Sequence, residues 1–249
     1  METYSLITGA SSGIGKASAY SLAKLNKNLI LISRRMERLE ELKEVLESKY
    51  NIKILIHSVD VTDQKQVNDF FEKISDYSID VFVNNAGLAL GKSSFQESDF
   101  DDYERMIETN IKGFTYMARK TIPFLIKTKG HIINVSSVSG IESYPGGSVY
   151  CGTKAYVKML SKGFRIDLVG KDVRVTDIAP GAVNTEFSTV RFHGNKEQAD
   201  DVYKGFSPLL AEDIADCIEF AVTRPPHVNI EYLLVMPTDQ AAVAYLNKK

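Results

Sequence analysis

The chain has 249 residues, 44% of them hydrophobic and 25% charged, a make-up that excludes a disordered or fibrous protein. Its net charge of -2, with acids and bases interspersed, offers no single-sign field for nucleic acid or an anionic membrane. The longest apolar runs, such as Leu29 to Ile32, fall far short of the roughly 18 residues that cross a bilayer.

The first apolar run, Ser5 to Thr8, leads into TGASSGIG (Thr8 to Gly15) and a helix expected to begin near Ile14. Gly9, Gly13 and Gly15 let the backbone turn tightly and approach a diphosphate whose charge meets the helix N-terminus. Taken alone, the same glycines also describe a tight strand-to-helix turn. A phosphate loop of the G-x-x-x-x-G-K-[ST] type is excluded, because its opening glycine falls on Ala10 and its metal-binding hydroxyl on Ala17. No basic region precedes a long apolar stretch at the N-terminus, so no signal peptide is expected.

The second run, Asn28 to Ser33, ends at Ser33-Arg34-Arg35, where an NAD-specific site would place an acid for the ribose hydroxyls. Two guanidiniums there suit a ribose 2′-phosphate; otherwise they decorate the start of an exposed helix. Arg35 to Lys49 places Met36, Leu39, Leu42, Val45 and Leu46 at helical spacing. The third run, Ile52 to Ser58, precedes Asp60-Val61, and Asp63 with Gln66 reads as a capping box. The fourth, Ile79 to Asn84, runs into Asn84-Asn85-Ala86-Gly87, and the fifth, His131 to Ser136, opens NVSSVSG.

Tyr150 and Lys154 follow, four residues apart and so on one helical face. A phenol titrates near 10, and a neighbouring ammonium lowers that value and makes the group usable in proton transfer. By itself Y-x-x-x-K also describes a solvated pair. The sixth run, Val173 to Ile178, leads to Pro180-Gly181 and an irregular segment at about 183–207, which is placed as a substrate lid beyond the strand ends. Tyr232 to Val235 is the seventh. The runs are continuously apolar, which implies a parallel sheet covered on both faces. The expected fold is α/β, a single Rossmann-like domain over 1–249 with about seven strands in a doubly wound sheet.

TGxxxGxG, Asp60-Val61, Asn84-Asn85-Ala86-Gly87, TNIKG with Asn110, NVSSVSG and Y-x-x-x-K, in this order, resemble the short-chain dehydrogenase/reductase family from Thr8 to about Phe187. The resemblance implies an NADP-dependent oxidoreductase whose catalytic set is Asn110, Ser137, Tyr150 and Lys154. Ser137 is chosen over the adjacent Ser136 by its 13-residue spacing to Tyr150. It further implies that the cofactor is held by Gly9, Ser11, Ser12, Gly13, Ile14 and Gly15, and by Arg34 and Arg35 at the 2′-phosphate. Asp60 and Val61 would meet the adenine, with Asn85 and Gly87 close to the cofactor. Tyr150, Lys154, Pro180, Gly181, Val183 and Thr185 would lie on the nicotinamide side.

NNAGLALG, VRVTDIAPG, TEFSTVRFHG and HVNIEYLLVMPT are similar to the NADP-dependent 3-hydroxy acid dehydrogenases, or serine 3-dehydrogenases, of that family. This implies small substrates such as serine, allo-threonine or 3-hydroxyisobutyrate, bound by Ser137 and Tyr150, and a homotetramer. Arg191, enclosed by Phe187 and Phe192, is expected to bind the substrate carboxylate. The competing readings are a 3-oxoacyl-thioester or general carbonyl reductase, and a nonenzymatic NADP-binding regulator. No metal site is expected, because His57, His131, His193 and His227 lack partners at ligand spacing. Neither is a serine hydrolase, since no G-x-S-x-G occurs. Cys151 and Cys217 also lack metal-ligand spacing, which fits a reduced cytoplasm.

Overall fold

Alternate residues of β2 (Asn28–Ser33) enter opposite cores, which is why its sequence is apolar throughout. Leu29 and Leu31 pack with residues of α1 (Gly13–Lys24), α2 (Met36–Lys49) and α9 (Ala211–Val222). Ile30 and Ile32 pack instead with α3 (Gln64–Lys73) and α5 (Phe114–Thr128). A strand buried on both faces has no polar side to display, and the covering helices supply the charged surface. The computed structural model describes residues 2–249, and its seven-stranded sheet follows the order β3-β2-β1-β4-β5-β6-β7 with every pairing parallel.

The remaining strands are β1 (Thr3–Thr8), β3 (Ile54–Ser58), β4 (Ser78–Asn84), β5 (His131–Val135), β6 (Arg174–Pro180) and β7 (Tyr232–Val235). After β3 the chain crosses back to the other side of β1, so the connections leaving β1 and β4 part over their carboxyl ends. Such a switch point opens a ligand crevice. The expected cap of α3 is present: the Asp63 carboxylate accepts from the Lys65 and Gln66 amides.

Three features differ from expectation. The lid is helical, with α7 (Glu186–Arg191) capped by Thr185 and α8 (Lys196–Asp201) capped by Asn195. Each is only six residues long, too short for an apolar period to show. A small antiparallel hairpin, β8 (Gln240–Ala242) with β9 (Tyr245–Leu246), follows β7. Between α4 (Phe100–Ile107) and α5 the chain makes a π-helical turn over Glu108–Gly113, while α6 (Ser148–Asp167) is regular.

Candidate active site

A cleft of about 340 Å³ runs along the carboxyl ends of the strands from Ser33, Arg34, Arg35, Asp60 and Val61 to Tyr150 and Lys154. Its floor is the turn after β1. The Thr8 hydroxyl accepts the amides of Asn85 and Ala86 at 2.9 Å each, and Asn85 Nδ2 donates to the Thr8 carbonyl at 2.9 Å. Asn85 is thus tied beneath the loop as well as lining the cleft. A side chain at Gly15 would come within 2.3 Å of the Gly9 carbonyl, so only glycine lets α1 start this close to β1. Ser12 precedes α1 without capping it by its side chain, and no acid stands in the first turn. These first-turn amides can therefore receive an anion from the cleft. A dinucleotide fits the loop, the cleft and the paired arginines.

At the Arg34 and Arg35 end of the cleft, Asp60 Oδ1 accepts from the Thr62 amide and hydroxyl and is thereby oriented. Arg34 stands 66% exposed, 4.0 Å from Asp60. Arg35 is held more tightly. Its guanidinium donates to Ser11 Oγ, Ser12 Oγ and Glu186. Glu186 also pairs with Arg38. Thr185 lies against Gly13, which brings the loop after β6 and the turn after β1 together. Pro180, Gly181 and Val183 line the same wall.

At the opposite end, Tyr150 and Lys154 lie one turn apart near the start of α6, both buried. The Ser137 hydroxyl, near enough to lower the Tyr150 phenol, donates to the Pro180 carbonyl at 3.4 Å and accepts from the Ser139 amide at 3.1 Å. Ser136 likewise faces a backbone carbonyl, that of Ile178, at 3.4 Å. Lys154 Nζ donates to the Val135 carbonyl at 3.0 Å and lies 6.0 Å from the Tyr150 ring centre. Burial pushes the Lys154 ammonium down to about 8, against Asp177, whose charge raises it. Burial, followed by the neighbouring Tyr144, pushes the Tyr150 phenol well above its usual range, outweighing Ser137 and Arg191, which lower it. The expected depression of Tyr150 by Lys154 is therefore not what this geometry produces, because desolvation of the phenolate is the larger effect.

Asn110 sits in the π-helical turn. Its Oδ1 accepts the Leu88 amide at 2.9 Å while its Nδ2 donates to the Leu88 carbonyl and to Thr153 Oγ1. A side chain at Gly87 would lie 3.2 Å from Asn110 Oδ1 and 3.5 Å from Lys154 Nζ, so the glycine keeps the space between those two groups open.

Residues 4–196 match the short chain dehydrogenase family. The chain belongs to that family. It is 45% identical, over 98% of its length and 96% of the relative's, to an NADP-dependent 3-hydroxy acid dehydrogenase of Schizosaccharomyces pombe. It is 42% identical to sulfoacetaldehyde reductase 2 of Chromohalobacter salexigens, covering 96% of each chain. Its structure superposes on the closed form of a serine dehydrogenase complexed with NADP+ with a TM-score of 0.92, at 39% identity and 99% coverage of both chains.

In this short-chain dehydrogenase the lid covers the Tyr150 end. Phe187 packs on Tyr150 at 5.7 Å between ring centres. The Arg191 guanidinium lies 5.2 Å from the Tyr144 ring centre and 6.0 Å from that of Tyr150, while its Nε donates to the Gly91 carbonyl at 3.0 Å. Arg191 is thus beside the Tyr150 phenol but is not part of the cleft wall. Sequence reasoning missed Arg38, Asp177 and Glu186. Arg38 follows Arg35 by one helical turn and could have been found by that spacing, whereas the partnership with Glu186 spans 148 residues and leaves no local signal.

Proposed function

We propose that this chain is an NADP-dependent oxidoreductase acting on the 3-hydroxyl or 3-oxo carbon of small 3-hydroxy acids of the serine, allo-threonine and 3-hydroxyisobutyrate type. The observation that carries the reading is the buried Ser137, Tyr150 and Lys154 group at one end of a cleft whose other end holds paired arginines. When bound, NADPH would supply the hydride for reduction and NADP+ would accept it in oxidation.

The protein's own part is proton transfer and positioning. In reduction, Ser137 and Tyr150 hold the carbonyl oxygen, and Tyr150 gives it the phenolic proton as charge develops. The upward push on Tyr150 keeps that proton in place beforehand. Lys154, beside the phenol, stabilises the phenolate left behind, and the open space at Gly87 between Asn110 and Lys154 suits a relaying water. Gly9, Ser11 to Gly15, Asp60, Val61, Asn85, Gly87, Pro180, Gly181, Val183 and Thr185 would hold the cofactor, with the 2′-phosphate toward Arg34 and Arg35.

Arg191 near Tyr150 favours a substrate with an acidic end, which argues for the 3-hydroxy acid over the thioester. A guanidinium also receives a sulfonate, so the likeness to a sulfoacetaldehyde reductase keeps that acid in the same class. A nonenzymatic NADP-binding regulator would have no use for the four assembled catalytic groups.

No helix among the described residues is long and apolar enough to cross a membrane. Free Cys151 and Cys217 fit the reducing cytoplasm we propose. Exposed Met159 and Ile166 of α6 and Leu234 of β7 give a homotetramer apolar surface to cover. Following NADPH absorbance across 3-hydroxy acids, 3-oxo acids, sulfoacetaldehyde, neutral ketones and acyl thioesters tests the assignment. Preference for a small acid or semialdehyde is expected, and preference for neutral ketones or thioesters overturns it.

A further inference from the structure

Glu186 opens the lid helix α7, yet its carboxylate is gripped by the corner between β2 and α2. Arg35 Nη1 donates to it at 2.9 Å, and Arg38 Nη1 reaches its two oxygens at 2.6 and 2.8 Å. The rest of the Arg35 guanidinium is spent on the phosphate loop, with Nε and Nη2 on Ser11 Oγ at 3.1 and 2.9 Å and Nη2 on Ser12 Oγ at 2.8 Å. Every nitrogen of Arg35 is therefore already engaged by protein oxygens. Burial pushes the Glu186 carboxyl up, but the hydrogen bonds from Arg35 and Arg38 outweigh it and leave the group below its ordinary value.

A carboxylate and a phosphate make the same demand on a guanidinium, namely a planar fork directed at anionic oxygens. Glu186 holds Nη1 of both Arg35 and Arg38, and a second anion brought to the same arginines would be repelled by it. The contest is unequal. Ion pairs as exposed as these are weak, whereas a phosphate carries more charge and more acceptor oxygens than a carboxylate.

Resting on the reading that the chain uses NADP, we propose that Glu186 is a specificity-determining residue that competes with the cofactor's 2′-phosphate for Arg35 and Arg38. A 2′-phosphorylated cofactor takes the arginines and frees the first turn of α7, whereas NAD leaves the carboxylate in place. Glu186 thus narrows the preference for NADP over NAD and ties that preference to the state of the lid.

The test titrates wild type and the near-isosteric Glu186→Gln, at an exposed position, with NADPH and NADH by fluorescence. Adenosine 2′,5′-bisphosphate and adenosine 5′-monophosphate are titrated in parallel by calorimetry. NADPH and the bisphosphate should tighten about three- to tenfold in the variant, as loss of two weak ion pairs allows. NADH and the monophosphate should move less than twofold. In wild type, hydrogen exchange of the 186–191 amides should rise with the bisphosphate and stay put with the monophosphate. Weaker binding of the phosphorylated ligands by Glu186→Gln would show that the carboxylate orients the arginines for the phosphate, and equal affinities would show that it does neither; both overturn the proposal. A wild type that does not prefer the bisphosphate to the monophosphate instead removes the NADP reading itself.

Discussion

The floor of the cleft and its lid are fastened by different means. Below, Thr8, Asn85 and Ala86 share three hydrogen bonds at 2.9 Å across neighbouring strands, and Gly15 lets α1 close on Gly9. Above, the lid is pinned at its rim: Glu186 to Arg35 and Arg38, Arg191 to Gly91, and His193 Nε2 to Asp102 Oδ2 at 3.0 Å. Thr8 is itself fully buried, so its hydrogen bonds are costly to leave unmade, whereas the exposed Glu186 ion pairs contribute little each and the partly buried Arg191 and His193 contacts lie between. The floor should therefore behave as part of the fold, and the lid as a low-stability unit whose contacts are spent on selection.

If that division holds, the largest single effect belongs to the rigid side. Tyr150→Phe should abolish turnover, with a loss of at least about a thousandfold, because it removes the transferable proton and little volume. NADPH titrated by fluorescence should still bind. Turnover near wild type would remove Tyr150 from the chemistry.

At the mouth of the cleft, replacing both Arg34 and Arg35 by Ala should weaken NADPH about ten- to a hundredfold more than NADH, as expected for the loss of a charge-assisted partner. Equal weakening of both would make these arginines part of the scaffold. In the lid, Arg191→Ala should lower kcat/KM for serine or 3-hydroxyisobutyrate by about ten- to a hundredfold and leave a neutral alcohol of similar size nearly unchanged. An equal loss on both substrates would mean that Arg191 shapes the lid through Gly91 without reading the acid.

The smallest effect expected is a shift of a pH profile. Lys154 is held at about 8 by burial, so its charge is lost as pH rises through that value, and kcat/KM for reduction should fall on the alkaline side. Asp177 raises Lys154, hence Asp177→Asn should move that limb to lower pH while NADPH affinity is kept. A limb that stays in place would separate Asp177 from the site.

Legibility followed the same division. Leu29 to Ile32 announced a strand buried on both faces because each residue individually must be apolar there, and Tyr150, Lys154, Ser137 and Asn110 were nominated by short motif spacings that hold each on its element. The segment nominated as a lid was read as irregular and its helices were missed. Thr185 and Asn195 each start a helix too short to carry a period, and the partners of Glu186 and Asp102 lie far away in the chain. The Tyr150 phenol was misjudged for a related reason: a lysine four residues away is visible in the sequence, whereas the burial that dominates it is a property of Phe187, Tyr144 and the packed sheet.

The π-helical turn at Glu108–Gly113 has a consequence for the phase of the helices around it. Each residue of an α-helix advances the side chains by about 100°, so one residue more or fewer rotates everything on one side of it relative to the other. α4 places Met106 beneath Tyr150, while α5 places Met117, Ala118 and Leu125 against the sheet, and the wider turn between them absorbs the mismatch. Asn110 sits within that turn and bridges Leu88 to Thr153. Deleting a single residue there would leave two helices each individually sound but out of phase, and it would swing the amide of Asn110 away from the helix that carries Tyr150 and Lys154.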